Sequence, residues 1–335
     1  MITGILNIGN TCFMNACIQV LNKTTNIKFL TDAVTKVGTI DSMVVASWNL
    51  LILALEGGKI VDPNPFVRVV HMCAREKGTR EFTGFGQNDV SEFLMFIVEC
   101  FHNSLSGPSR MIATRPTSEV SSTVWDMMQT ISHEYSEIND IFYGVSVTEV
   151  LAPNTDRTRH SVKAEQYFIL DLPIPNTNKY PSLYDCFDAK TTSELLTGEN
   201  KWYNEKTKRK ERVRIRTLYF RFPEVLVITL GRFTYGTLRK NEVLVECPLT
   251  RLDLQPYCHS DAEKPSFYNL YGVCNHIGGS NGGHYNAYVK DNTNGKWYMC
   301  EDDMIVELDE KDVITHSTYC LFYGCSKSHN VHTFQ

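Results

Sequence analysis

The sequence predicts an α+β protein, helices first and strands after, and two observations carry that reading. Residues 88–105 place Val90, Phe93, Leu94, Ile97, Phe101 and Leu105 on one helical face. From about Tyr143 onward the chain turns to alternating strand-like runs, such as Tyr219 to Phe222 and Val225 to Ile228. At 335 residues it exceeds the usual single-domain size, so one large elaborated domain or two packed lobes is expected.

The first element opens near Cys12. Gly9-Asn10-Thr11 is a turn-forming run, and after it Phe13, Ala16, Cys17, Val20 and Leu21 fall at helical spacing. That puts Cys12 at a helix N-terminus, where unpaired N–H groups favour negative charge and a thiol ionises more easily. Cys12 is a nucleophile candidate on position alone; a small buried hydrophobe opening a core helix is the structural alternative. The longest apolar stretch, Val44 to Leu55, is interrupted by Ser47 and Asn49 and is too short to span a bilayer. Lys206 to Arg216 is the one strong charge run, with Arg212, Arg214 and Arg216 in strand alternation. It reads as a strand with one solvated basic face, against a nuclear-localisation or acidic-partner patch.

Far downstream, Gly282-Gly283 precedes His284, Asn286, Tyr288 and Lys290, which alternate with Tyr285, Ala287 and Val289 in strand period. His284 therefore sits where a loop enters a strand, a place from which a side chain reaches a cleft. Trp297 to Asp303 follows and ends in Glu301, Asp302 and Asp303. Cysteine, histidine and acid together make a nucleophilic set of the kind that is distant in sequence and adjacent in space.

Composition is that of an ordinary globular enzyme, 42% hydrophobic and 21% charged. A net charge of −5 gives no reason to expect a nucleic-acid or membrane-surface partner. The eleven cysteines contain no C-x-x-C pair, so they form neither a zinc signature nor a disulfide framework. With no secretory signal, they point to a reducing, intracellular compartment, cytoplasmic or nuclear.

At these residues the chain resembles the ubiquitin-specific protease family of deubiquitinases. Gly4 to Leu21 is similar to the family's Cys box, and His276 to Tyr285 with Trp297 to Asp303 is similar to its His box. Gln87 to Leu94 matches the glutamine-aspartate segment between them. Leu170 to Pro175, Leu230 to Phe233 and Tyr319 to Tyr323 are weaker marks in the right order. The resemblance implies a papain-like fold of thumb, palm and fingers. The thumb would cover about 1–135 and the palm with inserted fingers about 136–325, the fingers within about 140–220. Residues 326–335 would be a C-terminal tail. Many members bind zinc through two C-x-x-C pairs in the fingers. Here Asn204 to Thr207 and Val147 to Asn154 carry no cysteine, so no metal and no cofactor is expected.

The resemblance also implies a thiol protease hydrolysing the peptide or isopeptide bond after the C-terminal glycine of ubiquitin. Cys12 would attack, His284 would move the proton, and Asn7 would stabilise the oxyanion, with turn formation as its structural alternative. Asp302 is expected as the essential third member, with Glu301, where the family has Asn or Asp, as the alternative. Gln87, Asp89, Glu92, His276, Gly282, Gly283 and Tyr285 would bind ubiquitin's Arg-Leu-Arg-Gly-Gly tail, Asp89 and Glu92 through its arginines. For Asp89 and Glu92 the alternative is a solvated helix N-terminus. The partners would be ubiquitin and ubiquitinated proteins, and the enzyme a monomer. A ubiquitin-binding pseudoenzyme and a protease for a ubiquitin-like modifier are the alternative functions.

Overall fold

A computed structural model describes residues 2–326 apart from 32, 34–37, 110–113, 156–157, 177–179, 234–238, 266 and 280–281. Of the expected C-terminal tail, only Ser326 lies within the described residues. Helices come first: α1 (Cys12–Lys23), α2 (Ile40–Glu56), α3 (Asn64–Lys77), α4 (Val90–Leu105), α5 (Glu119–Ile131) and α6 (Glu137–Phe142). Then come β1 (Gly144–Leu151), β2 (Arg159–Tyr167) and β3 (Ile169–Pro173), a further helix α7 (Leu183–Thr191), and β4 (Glu194–Leu196). The chain continues through β5 (Trp202–Asn204), β6 (Arg209–Glu211), β7 (Val213–Arg221), β8 (Val225–Gly231) and β9 (Tyr268–Gly279). Last are β10 (Gly282–Lys290), β11 (Trp297–Glu301), β12 (Met304–Leu308) and β13 (Thr318–Cys325).

The strands form a seven-stranded sheet in the order β12-β11-β10-β9-β13-β8-β3 and a four-stranded sheet in the order β2-β1-β7-β4. β3 runs parallel to β8, so it belongs to the large sheet although it falls between strands of the small one. β5 and β6 make a separate hairpin. The helices end where local chemistry says they should. Thr39 caps α2 through Ser42 N at 3.1 Å, and Gly78 closes α3 with φ +73°, a left-handed angle that favours glycine.

α1 runs between α4 and the strands β9 and β10, and every residue from Cys12 to Leu21 is buried. Its close seat on β9 depends on Gly272, where a Cβ would fall 2.4 Å from Val20 Cγ1. A helix buried on all sides must find partners for its polar side chains. Gln19 does so by donating from Nε2 to Thr3 O at 2.7 Å, which pins the N-terminal segment along the helix. One apolar cluster spans these helices and the inner face of the large sheet, from Phe13, Phe93 and Phe101 to Ala287, Val289 and Phe322.

In the small sheet the basic run is not simply solvated. Arg216 and Arg159 reach Glu149 at 2.7 and 2.6 Å, and that glutamate is 1% exposed. Three hydrogen-bonding partners, first His259 and then Arg216 and Arg159, hold its carboxyl down at about 2 against the opposing effect of burial. The β5–β6 hairpin is tied by Asn204, whose Oδ1 accepts from Lys206 N at 2.9 Å and whose Nδ2 donates to Glu211 at 3.0 Å. Among the described residues the one grouping of possible metal ligands is Asp41, Cys73 and Cys100, in the helical region. Lys77 Nζ lies 2.8 Å from Asp41 Oδ1 and supplies positive charge there.

Candidate active site

Cys12 is the first residue of α1, delivered by a turn in which Gly9 (φ +116°) and Asn10 (φ +52°) both take left-handed angles. Asn7 shapes this turn. Its Oδ1 accepts from Gly9 N at 3.1 Å and from Thr11 N at 3.2 Å. Turn formation, the structural alternative for Asn7, is thus met by its side-chain oxygen. In the structure Asn10 turns away and donates to Phe85 O at 3.0 Å. Asn7 Nδ2 carries two hydrogens, and one of them goes to Asp302 Oδ2 at 3.0 Å. The second leaves a donor for an oxyanion.

The Cys12 thiol is 4% exposed. Burial raises it above its ordinary value and the Asp302 carboxylate adds to the rise, while hydrogen bonding from the Tyr285 backbone acts the other way. Easy ionisation at the helix N-terminus is therefore not met in this state: desolvation outweighs the favourable backbone N–H groups.

His284 is the third residue of β10 and stands opposite Ile277 of β9. Its Nε2 faces Glu301 Oε1 at 3.4 Å. Glu301 is the last residue of β11, and its Oε2 lies 3.5 Å from the Asn286 amide. Asn286 in turn accepts from Asn275 Nδ2 at 3.0 Å, and Asn275 accepts from Thr318 Oγ at 3.4 Å. This row of buried polar groups reaches from the sheet interior to the carboxylate that faces the imidazole.

The expected third member, Asp302, is elsewhere. β11 ends at Glu301, which pairs with Met304, so Asp302 and Asp303 form a two-residue hairpin turn with Asp302 at φ +53°. The strand breaks there, and alternation past Glu301 does not apply. Asp302 Oδ1 accepts from Asn15 Nδ2 at 2.8 Å and Oδ2 from Asn7, while its carbonyl accepts from Ile5 N at 2.9 Å. It ties down the loop that leads to Cys12, and the ring is faced by Glu301.

The expected tail-binding residues are brought to one cleft, but most are already engaged. Asp89 caps α4: its Oδ1 accepts from Ser91 N at 2.7 Å and its Oδ2 from Tyr285 OH at 3.1 Å. The carboxylate expected for an incoming arginine is thus a helix cap and a strut. Glu92, in the first turn of α4, is exposed; surrounding protein, with the carboxylates of Asp89 and Glu81, raises its carboxyl. Tyr285 is buried rather than an open wall, its ring 4.9 Å from that of His276. His276 lies behind the wall, 5% exposed, where a Cβ at Gly283 would fall 2.5 Å from its Nε2. Burial, and then Lys240, pushes its imidazole down to about 4. Gln87 spans the cleft: Nε2 donates to Gly283 O at 3.1 Å and Oε1 accepts from Gly283 N at 3.2 Å. Gly282 is needed here as well, since a Cβ would meet Gln87 Oε1 at 2.5 Å.

Sequence reasoning missed Asn15. Its signal was a polar residue on the buried side of an apolar helix, three positions after Cys12.

The model of the ubiquitin carboxyl-terminal hydrolase family matches residues 3–323. Human ubiquitin carboxyl-terminal hydrolase 2 is 28% identical over 96% of this chain and 55% of its own length. Human ubiquitin carboxyl-terminal hydrolase 21 is 29% identical over 96% of this chain and 61% of its own. The chain thus spans little more than half the length of these relatives. Among solved structures, the fold is similar to that in the SAGA Ubp8/Sgf11/Sus1/Sgf73 DUB module bound to ubiquitin aldehyde. That match has a TM-score of 0.74 at 21% identity, over 97% of this chain and 70% of that one. A yeast SAGA DUB module gives a TM-score of 0.72 at 21% identity, over 97% and 68%. By family model, relatives and fold, the chain belongs to the ubiquitin carboxyl-terminal hydrolase family and has the papain-like fold of its ubiquitin-specific proteases.

Proposed function

We propose that this chain is a cysteine deubiquitinase that hydrolyses the bond after the C-terminal glycine of ubiquitin. The observation that carries the reading is Cys12 at the head of α1, packed against β10, with His284 on that strand and Glu301 3.4 Å behind its ring. His284 takes the thiol proton as sulfur attacks the carbonyl, and returns it to the leaving amine as the C–N bond breaks. Water, deprotonated by the same ring, then releases the acyl group. Glu301 fixes the imidazole tautomer and stabilises the imidazolium, as the carboxylate of a triad does. In this reading the second hydrogen of Asn7 Nδ2 and the backbone N–H of Cys12 supply the donors to the developing oxyanion, each worth about 3 kcal/mol in related chemistry.

Ubiquitin is the proposed partner because relatives of this fold are described bound to ubiquitin aldehyde. Glu92 is the carboxylate left to meet a tail arginine. In this reading residues up to about 135 are the thumb and 136–325 the palm, with the four-stranded sheet as fingers. A monomeric enzyme acting inside the cell completes it; among the described residues no helix is long and apolar enough to cross a membrane. The buried, raised Cys12 thiol favours a second reading, in which ubiquitin is held without being cleaved. Ubiquitin carrying a fluorogenic C-terminal amide separates the two: turnover that is lost in Cys12→Ala supports the protease. Binding without turnover supports the second reading.

A further inference from the structure

β10 pairs with β9 from Gly282 to Val289, but with β11 only from Ala287 to Lys290. Between Gly282 and Asn286 its outer edge has no strand beside it among the described residues. In a ladder, alternate residues point their N–H and C=O to the same side. On this open edge the outward residues are Gly283 and Tyr285. The Tyr285 backbone lies close enough to the Cys12 sulfur to favour its thiolate, and Gly283 gives both its N–H and its C=O to the Gln87 carboxamide. Two residues of extended chain, about 7 Å, separate these points. An extended peptide whose carbonyl sits at Cys12 therefore passes Gly283 two residues away. A carboxamide offers a donor and an acceptor side by side, as the N–H and C=O of one residue in a paired strand do, so it fills the place of a neighbouring strand.

We infer that Gln87 is a latch on the open edge of β10, holding the Gly283 N–H and C=O that the substrate tail pairs with, so that the tail enters by exchanging places with Gln87. The inference rests on the proposed substrate. Exchange conserves both hydrogen bonds of Gly283, which makes opening inexpensive. Gln87 is exposed and sits between Gly86 and Asn88 ahead of α4, free to swing outward. The Tyr285–Asp89 contact stays in place behind it, so the two walls need not separate. The absence of a side chain at Gly282 then has a second use beyond a narrow channel: it lets the Gln87 carboxamide reach the edge.

The test is amide NMR on the deuterated protein, alone and with ubiquitin, for wild type and Gln87→Leu, a variant of similar size without the carboxamide. In free wild type the Gly283 amide is protected, and Gln87→Leu speeds its exchange about tenfold, the scale of one to two net hydrogen bonds. With ubiquitin bound, Gly283 stays protected while the Gln87 side-chain resonances move to free-amide positions. An unprotected Gly283 in free wild type, or an unchanged exchange rate in Gln87→Leu, overturns the latch. So does a Gln87 amide that stays bonded in the complex. The proposed function fails separately, by absence of ubiquitin binding and turnover. In that event the Gly283 exchange rates alone decide whether Gln87 latches the edge.

Discussion

Asn7 and Asp302, 295 positions apart, are joined by one hydrogen bond of 3.0 Å from Asn7 Nδ2 to Asp302 Oδ2. The same carboxylate takes Asn15 Nδ2 at 2.8 Å, so the hairpin turn after β11 is bolted to the chain on both sides of Cys12. Glu301, one residue earlier, faces His284 instead. Two adjacent acids thus take different partners, one facing the His284 ring and one bonded to the loop of Cys12.

That division predicts different losses. Asp302→Ala removes the shortest and charge-assisted bond of the buried Asn15 amide, leaving it the longer contacts to Leu6 O at 3.3 Å and Ile5 O at 3.5 Å, a loss of about 1–3 kcal/mol that lowers both melting temperature and turnover. Glu301→Ala lowers turnover with little change in melting temperature, because its side chain is about a third exposed. Thermal denaturation beside steady-state kinetics on both variants checks this. Equal thermal losses would remove the distinction.

The Asp302 carboxylate also raises the Cys12 thiol. Alkylation of Cys12 by iodoacetamide in the free protein should therefore rise through a midpoint above the ordinary 9.0. Asp302→Asn removes the negative charge and moves that midpoint down. A midpoint below 9.0 in wild type would show that the helix N-terminus outweighs burial after all.

His276 is held at about 4 against an ordinary 6.5. Below 6.5 the unfolded chain takes up a proton that the folded ring refuses, so stability is present above that value and is lost as pH falls toward 4. Between pH 6.5 and 5 the loss is up to about 2 kcal/mol, a share of it from His71, whose pKa burial also lowers. Urea unfolding across this window, with His276→Asn showing a flatter dependence, is the measurement. Identical slopes in both proteins would contradict the assignment.

Gly4 lies against the same hairpin turn, where a Cβ would fall 2.2 Å from the Asp303 carbonyl oxygen. Backbone cannot yield as a side chain tip does, so Gly4→Ala should destabilise by roughly 1–3 kcal/mol and loosen the turn carrying Asp302. Loss of both melting temperature and turnover is expected. A variant as stable as wild type would mean that the N-terminal segment docks differently.

Much of this was written in local pattern. The face of Val90, Phe93, Leu94, Ile97 and Phe101 gave α4, and the Gly9-Asn10 turn gave Cys12 its place at the head of α1. Alternation after Gly283 gave β10 and put His284 and Asn286 on one side. What stayed hidden depends on residues hundreds of positions apart. The bond between Asp302 and Asn7, the Asn15 anchor and the Asp89–Tyr285 strut have no period or spacing to announce them. Glu301 reads as a departure because the resembled family has Asn or Asp at that position, and sequence alone does not show where β11 ends. The positive φ at Asp302 shows that the strand stops there, which leaves Glu301 as the acid facing the His284 ring.

The central claim is tested most directly by incubating the protein with ubiquitin bearing a C-terminal aldehyde or other electrophile, followed by intact mass and peptide mapping. The account predicts a single ubiquitin adduct on Cys12, absent in Cys12→Ala and slowed in His284→Ala. No adduct under conditions where ubiquitin binds, or an adduct on any other of the eleven cysteines, would contradict it.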